Sequence, residues 1–225
     1  MTDPTFHVVD DPAAAVAALL VETARLGGSI VLTGGSSPGR AYELAAALEP
    51  DWSRAQVWWG DERCVAPGDE RSNFGLAKKT LLDRLAGQPT VYRMRGEIDP
   101  AEAAGEYAEQ LAGVTFDLLL LGLGPDGHVA SLFPHSPQLG ERDRPVTHGP
   151  PGLEPFVERL TLTLPALLAA RRIVVLTTGA EKAEAVDRGF RRPPSEDVPA
   201  SLLRASDAPL DVYLDAPAAT GAAAS

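Results

Sequence analysis

Asp126 and His128, two positions apart, are the residues of this sequence best suited to move a proton. Imidazole titrates near neutral pH, so His128 can take a proton from water and return it to a leaving group. Asp126 supplies a carboxylate able to orient the ring, and Ser131 follows close behind. His7, His135 and His148 lack such a setting and are expected to be structural. A metal site needs further His, Cys or carboxylate ligands at ligand spacing. The sequence shows no such cluster, so no metal is expected.

Two further segments carry chemistry. In Gly60-Asp61-Glu62-Arg63, an arginine at a strand end can orient a carboxylate or a substrate oxygen, which makes Arg63 and Asp61 candidates. Ser72 and Asn73 read equally as polar ligands of that site or as the cap of a helix. Gly34, Gly35, Ser36 and Ser37 form a glycine-rich turn between strand and helix, where free N–H groups point at an anion. Gly34 and Gly39 have P-loop spacing, yet Arg40 and Ala41 stand where lysine and a magnesium-binding hydroxyl belong, so nucleotide hydrolysis is not expected. Gly122-x-Gly124-x-x-Gly127 spells the dinucleotide fingerprint. Pro134 and Pro137 cut short the helix this fingerprint requires, and Asp126 would face a pyrophosphate with like charge. No organic cofactor is expected.

These loops need strands to carry them. Residues 116–121, apolar apart from Asp117, read as a buried strand that stops at the glycine segment before His128. Strands are also expected at 6–9, 29–33, 57–59, 91–92, 172–177 and 212–214, with helices at 12–26, 40–48, 72–85, 100–111, 164–170 and 180–188. Ser37 is placed to cap the helix that Pro38 opens. Residues 159–164 alternate strictly and predict a half-exposed strand, whereas 135–155, rich in Pro, Gly and charge, predict a surface excursion. Alternating strand and helix signifies an α/β fold, doubly wound, with a mostly parallel sheet flanked by helices. One domain over 1–216 is expected, followed by an unstructured tail from 217. Ligands of such a sheet bind at the carboxyl ends of its strands, where all three loops lie.

The chain has 31 acidic and 20 basic residues among 225, a formal charge of −11. Such a surface repels nucleic acid and anionic membrane. It admits a small anion only where a few cations and amides converge. No apolar run reaches the roughly 18 residues of a membrane span, and the single cysteine, Cys64, cannot form an internal disulfide. A cytoplasmic monomer or small homo-oligomer is the expectation.

Taken together, LTGGSSPGRAYELAAAL, VWWGDERCVAPGDERSNFGLA, FDLLLLGLGPDGHVASLFP, ERLTLTLPALLAARRIVVLTTGAEKAEAV and PASLLRA resemble the 6-phosphogluconolactonases, in the order that family has them. The resemblance implies a modified Rossmann-like fold shared with glucosamine-6-phosphate deaminases. It also implies hydrolysis of 6-phospho-D-glucono-1,5-lactone, a sugar-phosphate lactone of the oxidative pentose phosphate pathway, without metal or organic cofactor. On this resemblance His128 is the general base, Asp126 orients it, and Arg63 contacts the substrate. Gly34, Gly35, Ser36, Ser37, Lys182 and Arg159 then hold the phosphate. An amino-sugar-phosphate deaminase or isomerase of this kind would carry a glutamate after its histidine, where Ala130 to Pro134 offer no carboxylate. A non-catalytic sugar-phosphate sensor would carry a helix-turn-helix segment, and none is seen.

Overall fold

The computed structural model describes residues 2–220. In chain order the elements are β1 (Thr5–Val8), α1 (Pro12–Arg25), β2 (Ser29–Leu32), α2 (Ser36–Leu48), β3 (Gln56–Trp59), β4 (Asp61–Arg63), α3 (Asn73–Thr80) and β5 (Thr90–Val91). They continue with α4 (Pro100–Gln110), β6 (Leu118–Leu121), β7 (Val146–Gly149), β8 (Arg159–Leu162), α5 (Leu164–Leu168), β9 (Ile173–Thr177), α6 (Ala183–Phe190), β10 (Leu210–Leu214) and α7 (Ala216–Thr220). Seven strands form a parallel sheet in the order β1-β10-β9-β6-β2-β3-β5, and β4, β8 and β7 form a separate antiparallel sheet.

The central strands are apolar throughout because both faces of the parallel sheet are covered. Ile30 and Leu32 of β2, Leu118 and Leu120 of β6, and Val174 and Leu176 of β9 pack with residues of α1, α2 and α3. Val31, Leu119, Leu121, Ile173 and Val175 pack into the opposite core with α4, α5, α6 and the leucines of β8. The start of α1 is fixed by Asp11, which accepts from the Ala14 amide at 3.1 Å, and by Pro12 in its first turn. At the middle of the sheet, Asp117 ties β6 to β2 by accepting from the Ser29 amide and hydroxyl at 2.8 and 3.0 Å.

Four expectations are corrected. Ser37 does not cap α2, because the helix already begins at Ser36, with Gly35 at the N-cap position and no side-chain cap; the Ser37 hydroxyl instead bonds Thr178 Oγ1 at 2.8 Å. The strand at 159–164 is not half-exposed. All four residues of β8 are buried, its leucines in the core and its alternate polar residues beside the cleft described below, so alternation here separates core from site rather than core from solvent. The 135–155 excursion contains β7, and Leu139 and Val146 enter the core. Of the tail expected from 217, residues 217–220 belong to α7, and 221–225 lie outside the described residues.

Candidate active site

The loops that leave β2, β6 and β9 at their carboxyl ends meet the small sheet around one open cavity of about 650 Å³. Thr33, Gly34 and Gly35 come from the first loop, Gly122 to Pro125 with His128 from the second, and Lys182 from the third. Asp61, Arg63 and Arg159 come from β4 and β8, and Asn73 from the start of α3.

His128 is held by its own turn. The Gly124 amide donates to the His128 carbonyl at 2.9 Å, and the Gly127 amide donates to the Gly124 carbonyl at 3.0 Å. Asp126 accepts twice through Oδ1, from the His128 amide at 3.1 Å and opposite ring Nδ1 at 2.6 Å. Burial works to raise the Asp126 carboxyl, but the hydrogen bond and charge of His128 outweigh it and hold the group below the usual carboxylate range. An ionised Asp126 accepts a hydrogen bond from Nδ1–H and so keeps the proton on Nδ1, which leaves the Nε2 lone pair for a ligand in the cavity. Phe133 packs on the other side of the imidazole, with ring centroids 4.6 Å apart. Gly124 is needed for this closeness: a Cβ built there would stand 2.0 Å from His128 Nδ1.

A buried network fixes the opposite wall. Asp61, 6% exposed, accepts from Ser131 Oγ at 2.7 Å and from Asn73 Nδ2 at 3.0 Å. Glu62 accepts from the amides of Arg63, Asn73 and Phe74 and from Ser72 Oγ, all within 2.9 Å. Burial pushes its carboxyl up despite these four donors. Glu62 therefore caps α3 and pins β4 to it. Ser72 has the helix-cap role: its hydroxyl serves Glu62 and accepts from the Gly75 amide, and it does not line the cavity. Asn73 does line it, and holds Asp61 in place.

The cations gather without carboxylate partners. Arg63 and Arg159 are directly opposed in the β4–β8 pairing. Arg63 donates to the Arg71 carbonyl, and Arg159 to the carbonyls of Leu153 and Pro155. Nε of each is buried without a partner, and neither side chain forms a salt bridge among the described residues. Burial, and then the neighbouring Arg63 charge, lower the pKa of Arg159. Lys182 Nζ donates to the Leu123 carbonyl at 3.0 Å and lines both this cavity and a smaller cleft at the start of α2. Ser36 and Ser37 line that cleft and not the main cavity, together with Thr177, whose buried Oγ1 has no partner. Two unpaired guanidiniums, a lysine and an uncapped helix N-terminus constitute a strong local attraction for anions in an otherwise acidic protein.

Sequence reading missed the contacts of Phe133 and Gly124 with the imidazole, the hydrogen bond of Ser131 to Asp61, and the lining residues Leu153, Glu154 and Phe156. The last three stand in a Pro- and Gly-rich stretch with no periodic pattern to flag it. Cys64 lies nearby, half-buried, with its thiol pushed up to about 12 mainly by burial. Among the described residues no cluster of three or more His, Cys, Asp or Glu side chains could hold a metal ion, and no helix is long and apolar enough to cross a membrane.

Known proteins with this sequence pattern bear on the cavity. A family described as glucosamine-6-phosphate isomerases/6-phosphogluconolactonase matches residues 7–212. A 6-phosphogluconolactonase of Streptomyces coelicolor is 41% identical over 188 residues, covering 73% of this chain and 71% of its own. One from Homo sapiens is 36% identical over 219 residues, covering 90% and 84%. The solved structure of 6-phosphogluconolactonase from Trypanosoma brucei superposes with a TM-score of 0.87 at 29% identity, over 99% of this chain and 100% of that one. With the family matched over residues 7–212 and the fold shared over nearly the whole chain, the chain belongs to the glucosamine-6-phosphate isomerase/6-phosphogluconolactonase family.

Proposed function

We propose that the protein hydrolyses 6-phospho-D-glucono-1,5-lactone to 6-phospho-D-gluconate, a step of the oxidative pentose phosphate pathway, with His128 as general base toward water and without a metal ion. The observation that carries this reading is the His128–Asp126 pair opening into the same cavity as Arg63, Arg159 and Lys182. Water hydrogen-bonded to Nε2 loses a proton as its oxygen attacks the lactone carbonyl, and Asp126 stabilises the imidazolium that results. The tetrahedral intermediate collapses with cleavage of the bond to the ring oxygen, which takes the proton from Nε2. Atoms balance with one water consumed and a carboxylic acid formed, which ionises at neutral pH. Arg63 donates to substrate oxygens, while Lys182 and the start of α2 hold the phosphate.

The deciding assay follows loss of the lactone, with its spontaneous hydrolysis subtracted, in excess chelator. Wild-type protein is expected to accelerate hydrolysis there as well as it does without chelator. A rate no greater than background in both conditions would reject the activity, and loss only with chelator would reject the metal-free mechanism.

The Lys182→Ala variant tests the phosphate end separately. Removing one charge-assisted hydrogen bond is expected to raise KM by about 10- to 100-fold while kcat stays within a few-fold. An unchanged KM would move the anchor away from Lys182.

A further inference from the structure

One wall of the cavity is a strap, residues 150–158, that joins β7 to β8. Its anchors are made to the backbone. Arg159 Nη2 donates to the carbonyls of Leu153 at 3.2 Å and Pro155 at 2.8 Å. Gln138 Nε2 donates to the Pro150 carbonyl at 2.9 Å, and the Cys64 amide to the Glu158 carbonyl at 2.8 Å. Because main-chain atoms supply the hold, the side chains of Leu153, Glu154 and Phe156 are left to line the cavity. Gly152 seats the strap on Phe133: a Cβ there would come within 2.4 Å of the ring, and that ring is the one packed on His128. The strap is thus fixed relative to the imidazole.

Phe156 is 72% exposed and is the one aromatic residue among the exposed large hydrophobic residues described. The rest of the lining sets the charges of Asp61, Arg63, Arg159 and Lys182, which suit hydroxyls and phosphate, beside apolar surface from Leu123, Leu153 and Phe133, whose ring is already packed on the imidazole. An aromatic face at the mouth matches the C–H face of a sugar ring. Resting on the lactonase reading above, we propose that Phe156 is a specificity-determining residue that covers the carbohydrate ring of the substrate, and that Arg159 is the positioning residue that holds its strap in place. Arg159 then serves the substrate through the Leu153 and Pro155 carbonyls rather than as a phosphate ligand.

The test measures kcat and KM for 6-phospho-D-glucono-1,5-lactone, and inhibition by inorganic phosphate, on wild type and on F156A, F156W and R159K. Phe156→Ala raises KM about tenfold, the effect of removing one apolar group from a binding site, with kcat within about threefold of wild type. Inhibition by inorganic phosphate is unchanged, since phosphate binds at the Lys182 end. Phe156→Trp restores KM to within about twofold, because an indole offers the same face. Arg159→Lys keeps the charge but loses the guanidinium that reaches two carbonyls, and it raises KM in the same way; the double variant F156A/R159K is no worse than the worse single one. A KM for F156A within about twofold of wild type overturns the role of Phe156, and additive effects in the double variant overturn that of Arg159. If the wild type fails to exceed spontaneous hydrolysis, the lactonase reading falls and this inference with it, a result distinct from an active wild type with an indifferent F156A.

Discussion

His128→Ala is expected to lower kcat about 10²- to 10⁴-fold, the span over which a general base contributes. The loss should fall on kcat because the groups proposed to bind the substrate sit on other elements: Arg63 on β4, Lys182 after β9, and the glycine loop after β2. Folding should survive, since the turn is closed by main-chain bonds between Gly124, Gly127 and His128 that alanine retains. Asp126 would lose its ring partner but keep its bond to the backbone amide at position 128. The measurement is the steady-state rate of lactone hydrolysis after subtraction of the uncatalysed rate, with circular dichroism to establish folding. A wild-type rate from folded H128A would end the general-base mechanism, whatever the fate of the phosphate site.

Gly124→Ala should also damage the reaction, although it replaces no ionisable group. A Cβ at this position would stand 2.0 Å from Nδ1 and 2.2 Å from Cε1 of His128, far inside contact distance. The imidazole must swing away, which breaks its 2.6 Å bond to Asp126 and moves Nε2 from the water it is proposed to activate. Misplacement of a reacting group by about 1 Å costs on the order of 10² in rate, so kcat should fall by about that factor. Gly105→Ala is the matched control, because a Cβ there meets nothing within 4 Å and lies on helix α4. It should leave kcat unchanged and gain slightly in stability from the better helix former. Equal kcat values for G124A and G105A would show that the imidazole does not depend on the close approach of the glycine.

Legibility of the sequence followed burial. The leucines of β6 and the apolar runs of β2 and β9 could be read because both faces of the parallel sheet are covered, so their strands are apolar regardless of topology. His128 could be singled out because a strand and a glycine pair lead straight to it. The small sheet was legible only in part. Its strand β8 and the candidates Asp61, Arg63 and Arg159 could be read, but β4 and β7 could not, and the alternate polar residues of β8 were assigned to solvent although the structure buries them beside the site. Ser37 was misread because hydroxyl-then-proline has the local form of a cap, while its actual partner, Thr178, is 141 residues away. The strap eluded reading altogether, since backbone anchoring by Arg159 leaves no pattern in the residues anchored.

The pairing of β1 has a consequence for synthesis. Its parallel neighbour in the sheet is β10, the last strand, and His7 meets Asp211 at 2.7 Å and stacks on Tyr213 only when both are present. Strand β1 therefore leaves the ribosome well before the strand it pairs with. A nascent chain that has passed β9 but not β10 exposes the outer edge of β9, an open hydrogen-bonding edge next to an apolar core. Chains arrested in that window should be the most readily aggregated or degraded, and release from the hazard comes with translation of residues 210–214.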